Sequence, residues 1–518
     1  MTTATSSDTG RRRGRSARRR ERVATPLVSL PALKRNIPLY EVLDAEGVEL
    51  IHEASMAILE EAGIDFRDKE ALDLWKKAGA KVEGERVYID RALLLELTAK
   101  NPEVITLNGR NPERTVKLGG PYTIFAPSYG SPFVLDLEGQ RRYSTLADLE
   151  SFHKLAYLSP GLHVTGAITC EPVDIPVAWR HLRVAYSALK HSDKPFMGAV
   201  TAGERAEDTV AMAKLVMGEE FVEDNTVMVS VCNCNSPRVW DETMLDAVKV
   251  YARHNQSVIL APFVMAGAST PASSVGSVAQ LNAEALAGVA FAQLVRPGAP
   301  MIYGQFLATV SMKSGAPMGG TPEISLMNFM VGQMARRYKL PWRSSAMVTG
   351  SKLVDAQAAY ESAMTMQSML LAGASYAFHS AGWLEAGLTA SFAKFVLDAE
   401  QVEMYYKLGL GVTAAELADL KDAMAALREV APGGHYLGTD HTREHFETAF
   451  YMPELLDNNS FEQWQAEGAA DAATRATAKA RELIRRHDDL APALDPAVDE
   501  ALLAFIKARE KDLPEGVS

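Results

Sequence analysis

The chain has 518 residues, 47% of them apolar and 23% charged, with a formal net charge of −12 at pH 7. This is the composition of a globular protein with a large core, and its acidic balance excludes a general nucleic-acid binder, which needs surplus lysine and arginine. Three cysteines, Cys170, Cys232 and Cys234, make no disulfide framework and fit a reducing cytoplasm.

The N-terminal stretch, 1–37, reads as a basic, disordered tail. Eight arginines between Arg11 and Arg22 face only Asp8 and Glu21 there, and no apolar run follows to complete an export signal. Contact with an acidic partner is the alternative use for such a tail. Residues 38–110 read as a helical lead-in, because 44–63, 69–78 and 90–100 repeat apolar side chains at helical spacing. The runs VITLNG, YTIFAP and FVLDLEGQRRYS then have strand character.

Over 111–410 one pattern repeats: a short apolar run, a small or polar end, then an amphipathic stretch. The predicted strands are 122–126, 163–169, 196–200, 227–232, 257–262, 301–305, 342–347 and 375–379. Helical stretches lie near 145–158, 175–191, 204–218, 240–254, 280–296, 322–338, 355–372 and 391–408. Eight strands alternating with eight helices predict an α/β fold, a (β/α)8 TIM barrel with N-terminal and C-terminal helical additions. A doubly wound open sheet is the rival, but no glycine-rich phosphate turn follows the first strand; the same absence disfavours a nucleotide-type methyl donor. Thr321-Pro322-Glu323 and Asp355 read as helix N-termini. Residues 411–518 read as a C-terminal helical extension. No apolar run reaches the roughly 18 residues of a spanning helix; Ala285–Val295 comes nearest, with Gln293 inside and Arg296 after it.

In such barrels the chemistry sits at the carboxyl ends of the strands. Those ends carry Phe125 and Tyr129, Cys170 and Glu171, Thr201, Asn233 and Asn235, Pro262 and Phe263, Gln305 and Phe306, Met347 and Thr349, and His379 with Trp383, a mouth rich in aromatic, amide and methionine side chains and poor in paired carboxylates. Any single ring at a strand end is more often core or lid packing, but several around one rim point to a cage, because aromatic faces attract cations, quaternary ammonium groups above all. Arg343 lies inside an apolar strand and needs a partner: either a structural ion pair or a substrate carboxylate gripped by the guanidinium fork. Cys232 and Cys234 share a strand face and could reach one zinc; with no clear third ligand, the bland reading is small buried side chains. His435, His441 and His445 fall outside the barrel and read as a surface or lid segment, so no metal ligand is assigned.

The run GAPMIYGQFLATVSMKSGAPMGGTPEISLMNFMVGQMARRYKLPWR, with SKLVDAQAAYESAMTMQSMLLAGASYAFHSAGWLEAGLTASFAKFVLDAE after it, resembles the trimethylamine methyltransferase family. The likeness extends from about residue 38 to the C-terminus and is densest over 298–400. It implies a (β/α)8 methyltransferase moving a methyl group from a small quaternary or tertiary amine to the cobalt of a separate corrinoid protein. Cobalamin would then arrive on that partner, with no cofactor bound tightly by the chain itself. Nucleic acid and membrane are not expected as partners, and a homo-oligomer is.

Archaeal trimethylamine members carry pyrrolysine in the barrel, whereas this chain has standard residues throughout. The lost position aligns near Lys352 or Leu353. Without that residue the leaving group must already be good, which favours a quaternary substrate such as a betaine and likens the chain to the glycine betaine branch. Resemblance and rim position together nominate Phe125, Tyr129, Phe306 and Trp383 for an aromatic cage. Arg343 and His379 are nominated for a carboxylate, with Gln305, Glu323 and Gln357 as further polar candidates and no catalytic acid or base. A zinc-thiolate methyltransferase and a non-catalytic betaine-binding barrel are the alternatives.

Overall fold

A computed structural model describes residues 28–513; the arginine-rich segment lies outside the described residues. Seven parallel strands form the barrel wall: β1 Tyr122–Phe125, β2 Phe196–Met197, β3 Met228–Cys234, β4 Ser257–Ala266, β5 Met301–Gly304, β6 Trp342–Ser345 and β7 Tyr376–Phe378. They run in the spatial order β2, β3, β4, β5, β6, β7, β1. Eight helices alternate with the wall: α1 Leu146–Leu158, α2 Arg180–His191, α3 Gly203–Met217, α4 Glu242–Arg253, α5 Ser274–Val295, α6 Pro322–Arg337, α7 Ala356–Ala372 and α8 Phe392–Gly409.

The eighth wall position falls to 163–168, which forms no regular strand. His163 N donates to Phe125 O at 2.8 Å, Thr165 N to Pro195 O at 2.9 Å, and Met197 N to Gly166 O at 3.1 Å. These bonds bridge β1 to β2 and complete the ring. Gly166 explains the irregularity: its φ is +92°, and a Cβ there would lie 2.8 Å from Pro127, so the chain turns out of ladder geometry at that point. The expected strand 163–169 is therefore corrected to a hydrogen-bonded bridge. The fold is the (β/α)8 barrel.

Sequence explains the helices locally. Asp355 caps α7 through Ala358 N, and Thr145 with Asp148 closes a capping box on α1. Pro322 opens α6 after Thr321, although that threonine's hydroxyl makes no capping bond. Lys194, buried between α2 and β2, donates to three carbonyls at the end of α1 and beyond it: Ala156 at 2.8 Å, Ser159 at 3.1 Å and Leu162 at 2.6 Å. The one described helix long and apolar enough to cross a membrane is α5, and 83% of its apolar window is buried inside the protein.

Both ends of the chain differ in detail from expectation. Residues 28–37 are an ordered floor strap: Leu33–Lys34 pairs antiparallel with Tyr122–Thr123. Arg35 donates there to Thr123, Gly120 O and Ala374 O. An apolar Leu33 with no exposed surface is what a solvated-tail reading overlooks. The lead-in is also partly β, with strands Ile64–Phe66, Lys81–Glu83, Arg86–Tyr88 and Val104–Leu107 among its helices. Within the C-terminal extension, the helix Ala472–Leu490 packs on α8 and α1, and the helix Pro496–Asp512 packs on α2 and α3.

Candidate active site

Arg343 stands on β6 opposite Tyr376 of β7, and Ser345 stands opposite Phe378. Register partners in a parallel ladder share a face, so Arg343, Tyr376 and Phe378 point the same way. Arg343 is 2% exposed. It donates to the carbonyl of Gln305, and its Nη2 lies 3.3 and 3.4 Å from the two ring nitrogens of His379. No carboxylate among the described residues pairs with it, and burial pushes the guanidinium down to about 9. It is still a cation at neutral pH, so it is a buried charge without a counter-ion.

Aromatic rings surround that cation. The guanidinium carbon is 5.0 Å from the Phe378 ring centroid and 5.8 Å from that of Phe306. His379 stacks on Phe378 at 4.2 Å and on Trp383 at 3.6 Å. Phe306 meets His379 and Trp383 edge-on, at 5.8 and 6.0 Å, and Phe263 stacks on Phe306 at 4.8 Å. Burial and the neighbouring Arg343 hold His379 well below the usual imidazole range, so it is neutral. Its φ of +60° is a left-handed conformation that costs a non-glycine residue about 1–3 kcal/mol and often marks a functional position.

Four buried polar atoms here have no hydrogen-bond partner: Arg343 Nε, Tyr376 Oη, Gln305 Oε1 and Trp383 Nε1. Buried polar groups are normally satisfied, so these four mark the surroundings of Arg343 as the candidate ligand site. The rest of Gln305 is fixed, its Nε2 donating to Asn328 Oδ1 at 2.9 Å and Ser344 Oγ at 2.7 Å.

The walls have stiff backing. Trp383–Leu384 pairs with Thr389–Ser391, which pairs with Phe133–Leu135 and so with Arg141–Tyr143, a small sheet. The preceding Gly382 N donates to Asp398 Oδ2 at 2.9 Å. Asp398 in turn is bridged by Lys394 at 2.6 Å, and Lys394 also donates to Ser362 Oγ at 2.8 Å. Phe306 begins the strand Phe306–Val310, which lies alongside Phe263–Ala266 and forms a hairpin with Pro317–Met318.

The structure therefore brings together Gln305, Phe306, Arg343, His379 and Trp383. Tyr129 sits beside them, its ring 5.7 Å from Phe378, and lines a separate cavity of about 100 Å³ with Glu171, Arg180 and Thr201; burial raises its phenol. Phe125 is not part of the cluster. Ile124 pairs with Tyr376 and Phe125 with Ala377, so its ring faces away from Arg343 and stacks on His163 at 5.9 Å. Glu323 and Gln357 are exposed, and Gln357 donates to Glu361 at 3.1 Å. Lys352 and Leu353 are exposed on the loop after β6. Phe263, a strand-end residue of the expected mouth, and Phe378 complete the cluster, although neither is among the residues expected to form the cage; Phe378 follows from two-residue alternation outward from Tyr376. Cys232 and Cys234 are buried and belong to no group of three metal-type ligands among the described residues. Burial raises both thiols, and Cys234 donates to Val239 O at 3.3 Å.

The profile of the trimethylamine methyltransferase (MTTB) family matches residues 11–514. A glycine betaine methyltransferase of Desulfitobacterium hafniense is 41% identical over 92% of this chain and 99% of its own length. A proline betaine:corrinoid methyltransferase of Eubacterium limosum is 30% identical over 79% of this chain and 86% of its own. Among solved structures, the hydroxylamine complex of MtmB superposes with a TM-score of 0.52 at 9% identity, over 87% of this chain and 91% of that one, a likeness of fold.

Proposed function

Since the chain is a methyltransferase belonging to the trimethylamine methyltransferase family, we propose that it demethylates a betaine and delivers the methyl group to a separate corrinoid protein. The observation that carries this reading is Arg343, a buried cation with no acidic partner among the described residues, walled by aromatic rings. A zwitterion answers both features. Its carboxylate supplies the missing counter-ion to Arg343 and accepts from the unpaired Nε, while its trimethylammonium group rests against Phe263, Phe306 and Trp383. Relatives named for glycine betaine and proline betaine support the same substrate class.

The corrinoid supplies the Co(I) nucleophile that accepts the methyl group. The chain's own contribution is to fix the cation with one N-methyl carbon directed out of the mouth and to keep water away. The carbon–nitrogen electron pair stays on nitrogen, which departs as a neutral tertiary amine. No general acid is needed, in keeping with a neutral His379 and with the absence of pyrrolysine. Trimethylamine would have to leave as an anion and is a poor substrate on this chemistry. The test is a methylation assay of Co(I) corrinoid protein with glycine betaine, proline betaine, carnitine and trimethylamine. Turnover of at least one betaine and none of trimethylamine is expected; efficient use of trimethylamine alone would overturn the reading.

A further inference from the structure

The helices Ala414–Glu429 and Asp440–His445 lie outside the barrel and bring Asp419, His441 and His445 together. One ligand-type atom from each lies within 4.8 Å of the other two. His441 and His445 are one helical turn apart and share a face, their rings stacked at 4.6 Å. His441 Nε2 is 3.2 and 3.3 Å from the two Asp419 oxygens, and His445 Nε2 is 3.7 Å from Asp419 Oδ1.

Two details separate this from a chance ion pair. First, His445 Nδ1 is 2.8 Å from the carbonyl oxygen of His441. A carbonyl only accepts, so Nδ1 holds the proton and the neutral ring keeps its lone pair on Nε2. Metal-bound histidines are held in this way. Second, ligands bonded to a tetrahedral ion at ~2.0–2.2 Å stand roughly 3.3–3.6 Å apart, close to the 3.2 Å between His441 and Asp419 and the 3.7 Å between His445 and Asp419. The side chains of His441, His445 and Asp419 are 24%, 41% and 38% exposed, which leaves an open side for water as a further ligand.

The surrounding chain is held by helix caps and surface ion pairs and has little buried core. Between residues 411 and 450 only Ala426 and Thr439 are buried, while Leu417, Leu437, Phe446 and Phe450 are mostly exposed. The helix Asp440–His445 has six residues, too few to persist without support. Small units without a core are commonly stapled by a metal.

We propose that Asp419, His441 and His445 bind a divalent first-row transition ion, zinc foremost, which pins the short helix to its longer neighbour. Two imidazoles and one carboxylate suit such an ion, whereas magnesium and calcium prefer all-oxygen sites.

The test uses the untagged full-length chain, stripped with chelator and titrated with Co2+ and Zn2+. Co2+ should give visible bands of a four- or five-coordinate ion with no thiolate charge-transfer band, at one equivalent per chain. His441→Ala and His445→Ala should each weaken binding ~100-fold without unfolding the barrel, since both side chains are partly exposed and lie outside it. The Cys232→Ser, Cys234→Ser double variant should bind as wild type does. Zn2+ at ten times its Kd should slow proteolysis within 411–450 by about tenfold, and His445→Ala should abolish that protection. Absence of Co2+ bands in wild type, unchanged binding in His441→Ala, or loss of binding only in the cysteine variant would each overturn the proposal. So would protection that appears at acid pH without metal, the mark of a plain imidazolium–carboxylate cluster.

Discussion

Replacing Arg343 with methionine should make the ligand-free protein more stable and the betaine complex weaker. The guanidinium sits at about 9 because burial removes its hydration and no carboxylate restores it. Against an ordinary arginine value above 12, that is a penalty of roughly 4–5 kcal/mol at ~1.36 kcal/mol per pH unit. Methionine fills much of the same volume and carries no charge to desolvate, but it leaves the Gln305 carbonyl without its donor, at about 1–3 kcal/mol. The net expectation is a gain of ~1–4 kcal/mol at neutral pH. Loss of a buried charge-assisted contact should weaken betaine by about 2–3 kcal/mol, thirtyfold to over a hundredfold. Choline has the cation but no carboxylate and should lose little. Denaturant midpoints combined with calorimetry of glycine betaine and choline measure all three quantities. A variant that is several kcal/mol less stable and loses both ligands equally would show that Arg343 is a structural residue, and the carboxylate assignment would fall with it.

Phe306→Leu and Trp383→Leu should each lower betaine affinity about tenfold to thirtyfold, the scale of a desolvated cation–π contact of ~2 kcal/mol. A tert-butyl isostere, measured beside it by calorimetry, should respond weakly; equal losses for both ligands would make these rings packing residues. Lys394→Met should destabilise the chain by about 3–5 kcal/mol, because it leaves Asp398 buried and uncompensated, and it should loosen the Gly382–Trp383 turn; an unchanged denaturant midpoint would refute this. Glu403 is raised to about 7 by burial and by the neighbouring Glu400 and Glu454. The folded state therefore binds this proton more tightly than the unfolded one, so its stabilising effect is complete below the ordinary carboxylate range and is lost as pH rises through about 7. Melts of wild type should fall between pH 5 and 8, and Glu403→Gln should flatten that slope; parallel slopes would refute the assignment.

Much of the barrel was readable because each repeat buries an apolar strand against an amphipathic helix, which leaves two distinct periods in the sequence. The bridge at 163–168 was not readable as such, since HVTGAIT has strand composition and only the positive φ of Gly166 breaks the ladder. The site was half legible. Arg343 stood out as a charge in an apolar strand, and the mouth residues followed from strand ends. Phe125 was misdirected because a strand end does not say which face a ring takes; register with Ala377 decides that. Lys394 and Asp398 carried a signal that went unused: opposite charges four apart in an apolar helix. Asp419 could not be joined to His441 and His445 from sequence, because 20 residues and a turn separate it from the short helix that begins at Asp440.

The floor strap at Leu33–Lys34 has a consequence for how the chain is made. Its partners lie far along the sequence: Tyr122 and Thr123 first, then Ala374, and finally Gly409, whose carbonyl accepts from Asn36 N at 2.9 Å. A ribosome adding about 5–20 residues per second needs roughly 20–75 s to cross that interval. Throughout that time the apolar strap has no complete seat, and the contacts that hold it are among the most sequence-distant in the molecule, the kind that form late. Bottom closure therefore belongs to the last stage of folding, after the final barrel helix has emerged. An N-terminal fusion that restrains the strap would act on folding yield before it acted on methyl transfer.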